Sequence, residues 1–270
     1  MRQAVALGLL HGPTELVPIS SSGHTTLLAW QRGWDYNALE PATRKRFEVA
    51  LHAGTTAALL FAGRRDIAAS LRRGGPRASP AGVVVLACVP PALAGHLLQR
   101  PIERRLGTPA TIAAGLAGGA VAMAAAERRG QSRRDRSTRG RSDASLADGV
   151  ALGAAQALAL VPGVSRSGAT RATARWRGFT PAEADALSAA VGLPITLGAL
   201  ALKGREAALR SHRSEWAALG AGALGAFSST LVAGAALRRV GRGRSLTPYA
   251  AYRIALAGAV VRRLRQNGTR

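Results

Sequence analysis

Cysteine, lysine, acidic and aromatic residues are all scarce in this chain of 270 residues, and each shortage removes a class of explanation. The single cysteine, Cys88, lies in an apolar run, so no internal disulfide forms and the redox compartment is not written in it. Aromatic residues make up only 4 % of the chain, no aromatic ladder or zinc-finger spacing occurs, and the net charge of +23 therefore does not indicate nucleic-acid binding. The basic residues are scattered over every link instead of gathering on one face. Only Lys45 and Lys203 among them are lysines. That skew towards arginine, alongside abundant Ala and Gly, reflects codon composition and a preference for anionic lipid headgroups. A secretory cleavage site is missing too: the apolar stretch after Arg2 runs straight into a polar motif, so insertion is expected through the spans themselves.

What the chain does have is apolar runs. Residues 47–62, 81–98, 110–126, 144–160, 187–202, 215–237 and 246–261 are dominated by Ala, Leu, Val and Gly. Most run about 16–20 residues, the range for crossing the hydrocarbon core or for burial within a bundle of spans. Short arginine-rich links such as Arg64-Arg65 separate them and hold the mean hydropathy only slightly positive. The small residues permit close helix contact. The expected fold class is an all-α, polytopic membrane helical bundle, forming a single integral membrane domain over 1–270. Segment 127–145 carries seven arginines with Gly and Ser, and reads as a mobile cytoplasmic link by the positive-inside tendency.

That link divides the chain into two similar halves, about 1–126 and 146–270. Leu16-Val17-Pro18-Ile19-Ser20-Ser21-Ser22-Gly23-His24 in the first answers Leu160-Val161-Pro162-Gly163-Val164-Ser165-Arg166-Ser167-Gly168 in the second, and the wider stretch Gly8 to Thr26 matches Gly153 to Thr170 with one residue inserted. Hydroxyls, a proline and a glycine at apolar depth are costly unless they line a cavity. Each motif reads as two half-helices joined by a turn, with Pro18 or Pro162 stopping one half and serines capping the next, so that backbone N–H groups face the cavity. A kinked span whose serines bond their own backbone is the alternative. Duplicated membrane folds with broken helices show this kind of weak self-similarity, which predicts two inverted repeats, each with a re-entrant broken-helix pair. Thr108-Pro109 and Thr180-Pro181-Ala182-Glu183 read as helix starts.

The residues able to do chemistry gather at these motifs. Glu15 stands one turn ahead of the serines in a stretch too apolar for a stray carboxylate; it could hold a divalent cation or act as a general base, and an ion pair with an arginine is the structural alternative. His24 follows Ser21 by three residues, which on a helix puts imidazole and hydroxyl on one face, where His24 could activate Ser21, protonate a leaving phosphate or bond a phosphate oxygen. Arg166 offers a planar fork matched to phosphate oxygens, or it snorkels to the surface as Arg171 and Arg175 could. Ser20, Ser22, Ser165, Ser167 and Thr170 extend the phosphate cradle. His11 precedes Glu15 by four residues, and Glu48 and His52 repeat that spacing in the next run; such pairs share a metal or simply form an ion pair on a helix. The metal set is expected to be Glu15 with Glu48 and His11 as further candidates. His96 and His212 carry no supporting neighbours.

The string Glu15 to His24 resembles the first signature of the bacterial undecaprenyl-diphosphate phosphatases, the bacitracin-resistance family, and Pro162 to Thr170 resembles the second. Phe47-Glu48-Val49 fits the segment between them, and the similarity extends through most of the chain. The resemblance implies an enzyme of the bacterial cytoplasmic membrane that removes the terminal phosphate of a C55 polyprenyl diphosphate and so recycles the lipid carrier of cell-wall synthesis. It implies paired re-entrant helices, an outward-facing pocket near the midplane, and a divalent cation, Mg or Ca. By position, Glu15 would be the second acid of an acid-rich motif, Ser21 and His24 the nucleophile and its helper, and Arg166 the phosphate-binding arginine. Two positions depart from the family pattern: His11 stands where Glu or Gln is usual, and His52 where Gln is usual. Imidazole suits softer metals than magnesium, so these changes bear on the choice of ion.

A transporter that moves polyprenyl phosphate across the bilayer shares the duplicated, broken-helix architecture. The acid–serine–histidine cluster discriminates, since transport of an anion does not need it. A membrane-surface scaffold working through its arginines would leave the motif residues dispensable. The partners expected are the lipid diphosphate, membrane lipids and, as an option, a second copy in a homodimer.

Overall fold

Proline and serine punctuation sets the helix boundaries. In the computed structural model, residues 1–73, 80–132, 139–241 and 243–268 are described. The first half of the chain holds α1 (Arg2–Leu16), α2 (Ser21–Arg32), α3 (Pro41–Arg73), α4 (Ala81–Arg105) and α5 (Pro109–Ser132). The second holds α6 (Leu146–Leu158), α7 (Arg166–Trp176), α8 (Pro181–Arg210), α9 (Arg213–Val240) and α10 (Thr247–Gly268). Helices α3, α5 and α8 each begin on a proline, whose missing N–H costs nothing in a first turn. The chain breaks at both polar motifs, between Leu16 and Ser21 and between Leu158 and Arg166. Among the described residues no β-strand forms. The structure is all-α.

Helix lengths recur between the halves: 15, 12, 33, 25 and 24 residues, then 13, 11, 30, 28 and 22. Among the described residues four helices are long and apolar enough to cross a membrane: Ala81–Leu98 within α4, Pro109–Ser132, Pro181–Arg210 and Arg213–Val240; α6 is apolar but shorter. Leu93, Leu97, Val121, Leu202, Leu224 and Val232 on these four are more than half exposed. Large side chains facing outward along such helices would be a liability in water and are at home against lipid. The chain is a helical membrane protein. The runs at 47–62 and 246–261 do form helices, but arginines within α3 and α10 keep both outside that set.

The chain resolves into two compact units, and neither is one half of the sequence. The first comprises Met1–Leu16, His24–Gly75 and Thr196–Val240. Here α9 packs against α1 and α3 around Leu7, Phe47, Leu51 and Ala226. The α1–α9 contact is backbone to backbone. A Cβ on Gly8 would land on the Gly222 carbonyl oxygen, and one on Gly12 would lie 2.6 Å from the Thr230 nitrogen. Arg46 closes one end with a two-pronged bond to Glu215, at 3.1 Å through Nε and 2.7 Å through Nη2. Gly12→Val should therefore cost about 1–3 kcal/mol by overpacking, read as a lower midpoint of thermal unfolding in detergent. Gly198→Ala, where nothing lies within 4 Å of the added carbon, should leave that midpoint unchanged or raise it.

The second unit comprises Val17–Gly23, Pro76–Ile195 and Gly241–Arg270. Within it α4 packs on α6, α10 on α5, and α7 on α5 and α6. The pairing of α6 with α4 repeats, at corresponding places in the other half, that of α1 with α9. Ion pairs are built into this unit. Asp148, fully buried, is a first-turn acid of α6 held by Ser145, by Arg139 at 2.6 Å and by Arg177. Glu127 is buried beside Arg175 and accepts the Leu246 N–H. The basic segment expected to be a mobile link is accordingly shorter than its composition suggests. Helix α5 runs on to Ser132 because Glu127 is anchored, and residues 139–145 are fixed by the Arg139–Asp148 contact and a capping box at Ser145. The remainder of that expectation, 133–138, lies outside the described residues.

Candidate active site

In the first unit, α1 and α3 supply the acid and the histidines. His11 and Glu15 lie one turn apart on α1, and His52 projects from α3. Ligand-capable atoms of these three residues all lie within 4.8 Å of one another. The two imidazoles meet edge to face, with ring centroids 4.6 Å apart. His11 is buried, and its Nδ1 lies 3.0 Å from Thr55 Oγ1, one turn beyond His52 on α3. Thr230 of α9 donates in turn to Thr55 at 3.3 Å. Two nitrogens and a carboxylate drawn together at this spacing fit a divalent cation better than an isolated ion pair, which needs only one histidine.

Glu48 was expected beside Glu15; the structure puts His52 there instead. The Glu48 carboxylate accepts the Tyr36 hydroxyl at 3.2 Å and faces Lys45 Nζ at 3.4 Å. Residues four apart share a helix face, so spacing alone could not separate Glu48 from His52. Tyr36 and Thr55 went unnoticed in the sequence because neither falls in a polar motif. His24 and Thr25 are buried on the first turns of α2, one turn on from Ser21.

The second unit holds the two motif turns, and they meet. A Cβ on Gly23 would lie 3.5 Å from the Gly163 Cα, and one on Gly168 would lie 3.4 Å from the Pro18 oxygen. Each turn needs one residue in the left-handed region, Ser20 at φ 77° and Gly163 at φ 92°. At Gly163 a side chain would also strike the Ile112 oxygen, so only glycine fits. Ser165 caps α7 by accepting the Gly168 N–H at 3.2 Å and lies 3.3 Å from the Ser167 hydroxyl. Arg166 opens α7 and donates Nη1 to the Gly192 oxygen of α8, whose missing side chain makes room for the guanidinium. Thr170, fully buried, bonds the Ser188 hydroxyl at 2.6 Å and its own helix carbonyl of Arg166 at 2.9 Å. Ser20 and Ser21 are buried as well. A helix start with hydroxyls and a guanidinium beside it favours phosphate.

Arg253 was missed. It is fully buried on α10 and donates to four carbonyls: Pro18 at 3.2 Å in the first motif, Gly163 at 3.0 Å in the second, and Gly115 and Leu116 of α5 at 3.2 Å each. Its signal in the sequence was a lone charge inside the apolar run 246–261, which is the mark of a working residue at that depth. Arg171 and Arg175, read as candidates for snorkelling, turn inward instead: Arg171 pairs with Asp185 at 3.2 Å, and Arg175 donates to the Phe179 carbonyl at 2.9 Å.

Known proteins resemble the chain over nearly its whole length. Residues 4–259 match the family model described as bacitracin resistance protein BacA. An undecaprenyl-diphosphatase of Geobacter sulfurreducens is 38 % identical, with 96 % of each chain covered. Undecaprenyl-diphosphatases of Rubrobacter xylanophilus (36 % identical, 96 % of each chain) and Chromohalobacter salexigens (35 % identical, 93 % of this chain and 94 % of the relative) align similarly.

Proposed function

The chain belongs to the bacitracin resistance protein family, and from that membership we propose that it hydrolyses undecaprenyl diphosphate to undecaprenyl phosphate and inorganic phosphate. Such an enzyme returns the lipid carrier to cell-wall synthesis and confers bacitracin resistance by withdrawing the diphosphate. The membrane in question is the bacterial cytoplasmic membrane, crossed several times, with the two halves of the chain as inverted repeats. The observation that carries the reading is the abutment of the two motif turns, with Arg166 opening α7 beside Ser165 and Ser167.

Hydrolysis of a diphosphate at its terminal phosphorus breaks the bond to the bridging oxygen, and negative charge grows on that oxygen and spreads over the equatorial ones. Arg166 binds the terminal phosphoryl group through its fork, and the α7 start with Ser165, Ser167 and Thr170 completes the cradle. The α2 start, with Ser20 and Ser22, takes the remaining phosphate oxygens. Either a water attacks in line and yields inorganic phosphate directly, or Ser21 attacks and a water then cleaves the phosphoserine, freeing inorganic phosphate and restoring the hydroxyl. His24 accepts the proton of the attacking hydroxyl and returns it to the departing undecaprenyl phosphate. In the first unit Glu15, with His11 and His52, would hold a divalent cation, which would supply Lewis-acid chemistry when bound.

Reconstituted protein should release phosphate from a C55 polyprenyl diphosphate, and a chelator should suppress the release by about tenfold or more. Measured on the same vesicles, lipid translocation without phosphate release would identify a transporter and overturn the reading.

A further inference from the structure

Resting on the cation site just proposed, we infer that His11, Glu15 and His52 select a first-row transition dication of the zinc, cobalt and nickel class over magnesium or calcium. Magnesium and calcium take oxygen ligands and leave nitrogen donors largely unused. Here two of the three gathered side chains are imidazoles. A pair of histidines with one carboxylate is a donor set that zinc uses at catalytic sites, keeping further positions open for water or substrate. Imidazole also suits cobalt, nickel and iron, so the donors separate the transition ions as a group from the hard cations.

Three features of the structure support the assignment. The donors come from two helices whose approach is set by packing, His11 and Glu15 from α1 and His52 from α3, with α9 lying against both. That approach is close because Gly12 and Gly54 present bare backbone to α9: a Cβ on Gly54 would strike the Ala223 oxygen. The donors are therefore placed by packed helices instead of loops, which suits a site of fixed geometry. The third feature is the support behind His11. Its Nδ1 is tied to Thr55 Oγ1 at 3.0 Å, which orients the ring and leaves Nε2 for the ion. A ring nitrogen held in this way is the usual companion of a metal on the other nitrogen. Thr230 steadies Thr55 from a third helix at 3.3 Å. Glu48, the carboxylate that would have made the set oxygen-rich, is instead engaged with Tyr36 and Lys45.

The inference concerns which ion binds, so it is tested by binding and spectroscopy before activity. Full-length protein, stripped with chelator and kept in detergent, is titrated with Co(II), Mg(II) and Ca(II). Co(II) should bind one per chain, develop a visible ligand-field absorption, and bind at least about tenfold tighter than Mg(II). His52→Gln should weaken Co(II) binding by roughly a hundredfold while the thermal unfolding midpoint of the metal-free protein stays in place. The double variant His11→Glu, His52→Gln, with oxygen donors at both positions, should turn the preference over to Mg(II) or Ca(II). If Mg(II) or Ca(II) binds the wild type as tightly as Co(II), and Glu15→Gln abolishes that binding, the cation site stands and this selectivity is wrong. If no dication binds in a way that depends on Glu15, both ideas fall together. The wild-type titration alone decides the matter should a variant fail to fold.

Discussion

Arg166→Ala should lower phosphate release from a polyprenyl diphosphate by about a thousandfold. A guanidinium that meets developing charge on a transferring phosphoryl group is commonly worth that much, because nothing else at the site can reproduce its fork. The structure accounts for its placement. Ser165 starts α7, so Arg166 occupies the first helical position, and Gly192 of α8 offers both a carbonyl to hold Nη1 and the space a side chain would take. Arg166→Lys keeps the charge and loses the planar pair of donors, so it should recover only part of the rate. Substrate binding should weaken less than turnover, since the interaction grows as charge moves onto the phosphate oxygens. More than roughly a tenth of normal turnover in the alanine variant, at normal expression and melting, would remove Arg166 from the role assigned here.

Arg253→Met is the second change with a large expected consequence, and it works without touching phosphate. Pro18 and Gly163 lie in the breaks between half-helices, where carbonyls lack the N–H groups that a continuous helix would supply. Arg253 answers both breaks and ties them to α5 through Gly115 and Leu116. Removing it leaves several buried carbonyls to find new partners, at about 1–3 kcal/mol for each that fails. The expected result is a thermal midpoint lower by roughly 5–10 °C. Turnover should fall about a hundredfold, because the serines and the α7 start sit on the turns it fixes, and displacements near 1 Å cost that much. Arg253→Lys, with three donors and no fork, should restore part of the stability and less of kcat, while KM stays within a few-fold. A methionine variant with unchanged kcat would show that the turns hold themselves and that Arg253 only fills space.

Helix α1 shows how far local chemistry reaches and where it stops. A run of apolar residues fixes a helix, and Pro18 with the serines after it fixes the break, because a missing N–H and competing hydroxyls act within a few residues. Both breaks, and the starts of α5 and α8 on Pro109 and Pro181, were therefore legible. Glu15 and Arg166 also stood out as candidates, since charge inside an apolar stretch is rare in a single sequence. Arg253 obeyed the same rule and was passed over, lost among many arginines in the links. Spacing placed Glu48 and His52 on one face of α3 and could go no further, because the choice between them depends on how α3 is rotated against α1. Composition likewise made 127–145 one uniform basic segment, although Glu127 is anchored by the distant Leu246 and Arg139 by Asp148 and the Arg177 carbonyl.

By itself, then, the sequence determined that this is a helical membrane protein with two broken-helix motifs rich in hydroxyls. These follow from interactions between near neighbours and from what a bilayer will tolerate. Tertiary structure alone decided that the two motif turns abut, that a buried arginine on α10 joins them, and that a second histidine accompanies His11 and Glu15. Each of those depends on how helices distant in the chain approach and rotate, a matter of shape complementarity between packed faces that no local window contains.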